Sequence, residues 1–112
     1  MGEPSKRVKQ LLREYASRAH EEELRRALVE LSGAFDEWKA GKISSEGLSA
    51  RIHEFHDGTA RDIFNSYTHR LVEAPLARAI AGGILDKSQL PPELLEYLAR
   101  SIEFYEAENA SS

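Results

Sequence analysis

Apolar residues recur every three or four positions along most of the chain, which is the spacing of one face of an α-helix. Between about residues 5 and 40 they form two successive stripes, first Val8, Leu12, Tyr15 and Ala19, then Leu24, Ala27, Leu31, Phe35 and Trp38. At about 100° per residue, the second stripe is rotated by roughly a quarter turn from the first. The pattern therefore predicts either a helix break near residues 21–23 or one long helix that meets different neighbours along its length.

The next helical segment is delimited by a glycine and a serine. Gly41 stands where a C-terminal cap is expected, and Ser44 is placed to cap the helix that follows. That helix carries a single apolar stripe, formed by Leu48, Ile52, Phe55, Thr59, Ile63 and Tyr67. The caps and the stripe together predict a second helix after this short turn.

Proline and glycine mark two further helices. Pro75 stands at a first-turn position of a short predicted helix that ends at Gly82-Gly83. Pro91-Pro92 marks the start of a last helix. No segment alternates as a strand does, so we predict an all-α fold. We expect a single small bundle of four to five helices with short loops, forming one domain over residues 1–112 with frayed termini at 1–4 and 107–112.

Composition narrows the classes of function. The chain has no cysteine, which excludes a disulfide scaffold, cysteine-ligated zinc and a thiol nucleophile. No apolar run approaches the roughly 20 residues of a membrane span, so we expect no membrane partner. Residues 1–7 lack the apolar core of a signal peptide, and we therefore expect a cytoplasmic protein.

The charge is unevenly distributed. Residues 1–72 carry twelve basic and twelve acidic side chains, whereas residues 73–112 carry three and seven. The last third thus holds the whole net charge of −4. Because phosphate binding needs a basic face, we do not expect a nucleic-acid partner.

Candidate chemistry concentrates in the second predicted helix. His56 falls within its apolar stripe, His53 lies at the edge of the stripe, and Asp57 follows directly. One interpretation is a core-facing histidine with polar neighbours at the rim. The other is a divalent-metal site, for example for zinc or manganese, in which His20 from the first segment joins His53 and His56. Either Asp57 or Glu23 would supply the carboxylate ligand.

The His56-Asp57 doublet resembles that of the HD-domain phosphohydrolases, which are also all-α. In that family an upstream histidine, the doublet and a downstream aspartate hold a metal that activates water against a phosphate ester. The resemblance implies that His20 would be the upstream ligand. For the downstream ligand only Asp62 and Asp86 follow, the first close to the doublet and the second in a predicted loop.

No nucleophile motif or phosphate-binding loop stands out, so we expect a non-catalytic protein–protein interaction or accessory module. The apolar stripes are numerous for a chain of 112 residues, which favours self-association or docking onto a partner protein. Phe104 lies off the main stripe of the last helix and is a candidate contact residue. The face formed by Val8, Leu12 and Tyr15 is the other candidate.

Overall fold

A computed structural model describes residues 3–68 and 71–111 of the protein. The described part contains α-helices and no strand, which confirms the all-α prediction. A π-helical turn at Phe55–Thr59 joins the second helix to the third, and a 3₁₀ turn at Lys87–Gln89 precedes the last. The helices are α1 (Lys6–Lys39), α2 (Ser45–Glu54), α3 (Ala60–Tyr67), α4 (Glu73–Ala81) and α5 (Pro92–Ser111).

Helix α1 is one unbroken helix of 34 residues, so the predicted break near residues 21–23 does not occur. The Ser5 hydroxyl caps its start by accepting the Val8 amide proton, and Gly41, with φ of 77°, follows its end as expected. At about 1.5 Å per residue α1 is about 50 Å long. It therefore runs nearly the full 56 Å of the longest dimension of the molecule.

The first half of α1 packs against α4 and α5, and we call this part of the molecule the body. Leu76 and Leu94 are fully buried at its centre. The body holds the hydrophobic core, which consists of Leu11, Leu12, Tyr15, Ala19, Leu76, Ala77, Ala79, Ile80, Leu90, Leu94, Leu98 and Ile102. Three helices enclose this core, so its large side chains find apolar neighbours on several sides.

The second half of α1 pairs with α2, the π turn and α3, and we call this two-helix hairpin, residues 24–67, the arm. Ala34 and Leu48 are the buried residues of the arm, every residue of which the structure describes. The radius of gyration is 17.1 Å, compared with about 13 Å for a compact chain of this length. The molecule is thus elongated because the arm extends beyond the body.

The π turn changes which residues of the hairpin face α1. The amide of Ala60 donates to the carbonyl of Phe55, five residues earlier, so the turn accommodates one extra residue. Ala60 therefore takes the half-buried place expected of Thr59, which is exposed. After this change of phase, Ile63 and Tyr67 again lie on the side of α1.

The ends of the chain bear on the prediction of frayed termini. Helix α5 continues to Ser111, whose hydroxyl donates to the carbonyl of Ala107. The segment expected to fray from residue 107 is therefore helical in the structure. Met1, Gly2 and Ser112, which belong to the predicted frayed termini, lie outside the described residues.

Candidate functional site

The two histidines of the second helix are both on the surface. The side chain of His56 is 82% exposed, so the prediction that it faces the core was wrong. In a regular α-helix, the apolar stripe from Leu48 to Tyr67 would rotate gradually around the helix towards His56. The π turn reverses this rotation, so the stripe stays on the side of α1 and His56 lies on the solvent side. His53 is exposed as well.

Asp57 brings these two histidines together. Its Oδ1 lies 3.2 Å from Nδ1 of His56, and its Oδ2 lies 3.5 Å from Nδ1 of His53. Hydrogen bonds from His56 and then His53 lower the pKa of the Asp57 carboxyl below its usual value. Three of the four predicted metal ligands are thus neighbours, held on one solvated turn of helix.

The fourth predicted ligand, His20, lies elsewhere. Its ring stacks on Tyr67 with a centroid separation of 5.5 Å and meets Phe64 edge-on at 6.5 Å. Tyr67 follows His56 by eleven positions, which correspond to roughly 16 Å along a helix axis. The structure therefore does not bring His20 beside His56.

This separation bears on the metal and phosphohydrolase hypotheses. Within the residues that the structure describes, no three or more His, Asp or Glu side chains are grouped so as to hold a metal ion. Both hypotheses require His20 as a ligand next to the His56-Asp57 doublet. The geometry therefore gives them no support.

His20 lies instead where the body meets the arm. We call the region formed by His20, Glu23, Arg26 and Tyr67 the junction. There the Tyr67 hydroxyl donates a hydrogen bond to the Glu23 carboxylate. Burial of the phenol, and then this carboxylate, raise the pKa of Tyr67 above its usual value. One turn further along, Arg26 reaches the carbonyl of Gly83 in the body at 3.4 Å. The junction thus fastens the arm to the body by polar contacts.

The two predicted interaction surfaces have different outcomes. Leu12 and Tyr15 are buried in the core of the body and Val8 packs against it, so this face is not available to a partner. Phe104 is 57% exposed on α5, so its side chain is accessible to a partner. Its ring packs edge-on against Tyr105 with centroids 5.1 Å apart.

The largest group of exposed apolar side chains lies on the arm. Of the eight large apolar residues exposed in the described part of the chain, five belong to it: Leu28, Val29, Trp38, Ile52 and Phe64. Three of these, Leu28, Ile52 and Phe64, are 47%, 40% and 56% exposed. These large side chains are therefore only partly covered by the hairpin itself.

Helical geometry places these three residues on one side of the hairpin. The ion pair between Glu37 and Arg51, with Nη1 and Oε2 3.1 Å apart, marks one edge of the helix pair. Leu28, Ile52 and Phe64 are rotated towards the opposite edge. Three half-buried residues of α1, Leu24, Leu31 and Phe35, extend the same surface. We call the whole surface the arm face, and it consists of Leu24, Leu28, Leu31, Phe35, Ile52 and Phe64.

The sequence contains a signal for the arm face that its narrower apolar stripes obscure. Leu24, Leu28, Leu31, Phe35 and Trp38 are separated by four, three, four and three residues, which is heptad spacing. Ala27 completes a narrower stripe that does not include Leu28. Such spacing is typical of a helix that packs in a bundle rather than against a single neighbour.

The described helices include none that combines the length and the apolar character needed to cross a membrane. Comparison with known proteins found no match to the chain among protein-family models, curated proteins or solved structures.

Proposed function

We propose that this chain is a non-catalytic protein–protein interaction module that docks a helical partner on its arm face. The observation that carries the proposal is the partial exposure of Leu28, Ile52 and Phe64 on one side of a two-helix layer. A layer of two helices buries one stripe of each helix and leaves a further apolar stripe to be covered from outside. A helical layer with a complementary apolar stripe is the partner that this surface fits.

The energetic gain from such docking is substantial. Full burial of a large apolar side chain is worth about 1.5–3 kcal/mol, so covering the exposed part of each of these three would gain on the order of 1 kcal/mol. The half-buried Leu24, Leu31 and Phe35 would add to this. The number of these side chains is similar to the number of residues that dominate the binding energy of many interfaces.

The rest of the molecule is suited to hold the arm in place. The body has its own core, and the contacts of Tyr67 with Glu23 and of Arg26 with Gly83 link the arm to it. The body would therefore act as a folded support for the docking surface. As part of this proposal we assign the protein to the cytoplasm, where a chain without cysteines needs no oxidising environment.

Site-specific photocrosslinking in cells of the protein's source tests the proposal. A photoreactive phenylalanine analogue replaces Phe64 on the arm face or, as a matched control, Phe104 on α5, which are 56% and 57% exposed. We expect covalent protein adducts from position 64 and none from position 104. Adducts from position 104 alone, or from neither position, would contradict the proposal.

A further inference from the structure

We propose that the partner is a second copy of this chain, and that two arms stack face to face as an antiparallel four-helix bundle. This inference rests on the proposed function, because it assigns the occupant of the same arm face. Leu28 would lie near the centre of the interface, and Ile52 and Phe64 would lie towards its two ends. Three features of the arm favour a second copy.

The first feature is the heptad spacing in α1. The residues of this seam, Leu24, Leu28, Leu31, Phe35 and Trp38, lie on consecutive turns over about 20 Å of helix. A heptad seam is matched best by helices nearly parallel or antiparallel to it, which is the packing of a four-helix bundle. A second arm supplies such helices in the number that completes the bundle.

The second feature is size. Within the arm, α1 contributes residues 24–39, about 24 Å of helix, and two helix diameters span about 20 Å, so the face covers roughly 500 Å² in projection. Stable interfaces bury about 600–1,000 Å² on each partner. The projected arm face alone thus comes close to the lower limit of that range, before any contribution from the body.

The third feature is charge. The arm, residues 24–67, carries six basic and seven acidic side chains, a net charge of −1. The remainder carries nine basic and twelve acidic side chains, a net charge of −3. Two arms would therefore meet with little repulsion, whereas two copies of α5 would juxtapose five glutamates each against a single arginine. Self-association is consequently favoured through the arm rather than through α5.

A two-fold axis also suits the arrangement of the apolar residues. In an antiparallel stack, the end of one face that carries Phe64 lies over the end of the other that carries Phe35 and Ile52. Leu28 and Leu31 lie near the middle of the seam, where they pack against the same two residues of the second copy. The same patch is then used by both copies, as a closed dimer requires.

Sedimentation velocity of the purified full-length chain, without partner proteins, tests this inference. We expect the wild type to sediment as two copies of 12.6 kDa. Leu28→Glu should raise the dissociation constant of the dimer at least about 30-fold, the effect of removing an interface hot spot. Val29→Glu is the matched control, since Val29 is an exposed aliphatic residue of the same helix about 100° away from Leu28, on the side remote from α2.

The outcomes separate this inference from the proposed function. A dimer lost with Leu28→Glu but kept with Val29→Glu, with unchanged circular dichroism for both variants, supports the second copy. A wild type that stays monomeric at high concentration overturns it, and so does a dimer that resists Leu28→Glu. If position 64 still crosslinks to a different protein in cells, the proposed function stands while the second copy is rejected. Phe64→Glu, at one end of the face, provides an independent check on the loss of the dimer.

Discussion

The body and the arm share helix α1 but use it in different ways. In the body, three helices enclose twelve buried core residues, whereas in the arm two helices bury only Ala34 and Leu48. The arm is not poor in apolar residues, since five of the exposed large ones lie there. Burial in this chain is therefore limited by the number of helices around a surface, and not by the supply of apolar side chains.

The two regions also differ in what their exposed groups imply. In the body, α5 exposes Tyr97 and Phe104 among several glutamates, a mixture common on protein surfaces. In the arm, Leu28, Ile52 and Phe64 lie on one side, and the ion pair of Glu37 with Arg51 lies on the other. This segregation is what makes the arm face a better docking surface than α5.

The largest expected effect is the loss of stability when a buried leucine of the body is truncated, which we compare with the truncation of a leucine of the arm. Leu94→Ala in the body should lower the free energy of unfolding by about 3 kcal/mol, because Leu94 is fully buried. Leu28→Ala in the arm should cost less than about 1 kcal/mol for the monomer, because half of the side chain already meets water. Urea unfolding at low protein concentration measures both. Equal losses would show that the arm is as well packed as the body.

The junction between the two regions should show a smaller, pH-dependent effect. Tyr67→Phe removes the hydrogen bond to Glu23 and should cost about 1–2 kcal/mol near neutral pH. Tyr97→Phe, at an exposed position, is the control and should be nearly neutral.

The pH dependence follows from the raised pKa of Tyr67. The folded chain holds the phenol proton more tightly than the unfolded chain, so this stabilisation is present below the usual pKa of about 10 and is lost as the pH rises above it. The wild type should therefore lose more stability than Tyr67→Phe between about pH 9 and pH 11. Parallel curves of melting temperature against pH for the two proteins would contradict this assignment.

Two glycines offer a comparison of opposite sign. Gly58 lies in the π turn of the arm, where an added Cβ would have no atom within 4 Å, so Gly58→Ala should stabilise the protein by about 0.5–1 kcal/mol. Gly83 in the body has φ of 79°, so Gly83→Ala should destabilise it by about 1 kcal/mol. Thermal unfolding measures both. A destabilising Gly58→Ala would mean that the π turn of the arm is packed on a side where the structure leaves open space.

The smallest effect concerns the exposed histidines of the arm. His53→Ala and His56→Ala should each change stability by less than about 0.5 kcal/mol, as surface substitutions do. Added Zn²⁺ should leave the melting temperature of the wild type unchanged, because His20 is not placed to join these two residues as a ligand. A zinc-dependent rise that both substitutions abolish would instead establish a metal site at Asp57.

Much of this fold could be predicted from the sequence because local signals specify it. The caps at Ser44 and Gly41 lie where the pattern placed them, and the first stripe of α1 forms part of the core. The extra residue of the π turn could not be predicted, since nothing in the sequence between Phe55 and Thr59 requires it. That one residue changes the phase of the hairpin, which is why the prediction that His56 faces the core was wrong.

The exposure of the arm face could not be predicted for a different reason. A periodic stripe shows which residues seek burial, but not how many helices are available to cover them. The stripe positions Leu12 and Leu31 in α1 have the same spacing, although Leu12 is buried and Leu31 is only half-buried. The number of neighbours is a property of the tertiary structure, and it decides which stripe remains open.

Whether a second copy covers the arm face is seen most directly in hydrogen–deuterium exchange of the wild-type chain at two concentrations about a hundredfold apart. If it does, mass action should stabilise the arm at the higher concentration and slow its amide exchange on the order of tenfold. Residues 6–20 and α5, which belong to the body, should exchange at the same rate in both samples. Exchange in residues 24–67 that does not depend on concentration would contradict the dimer of arms.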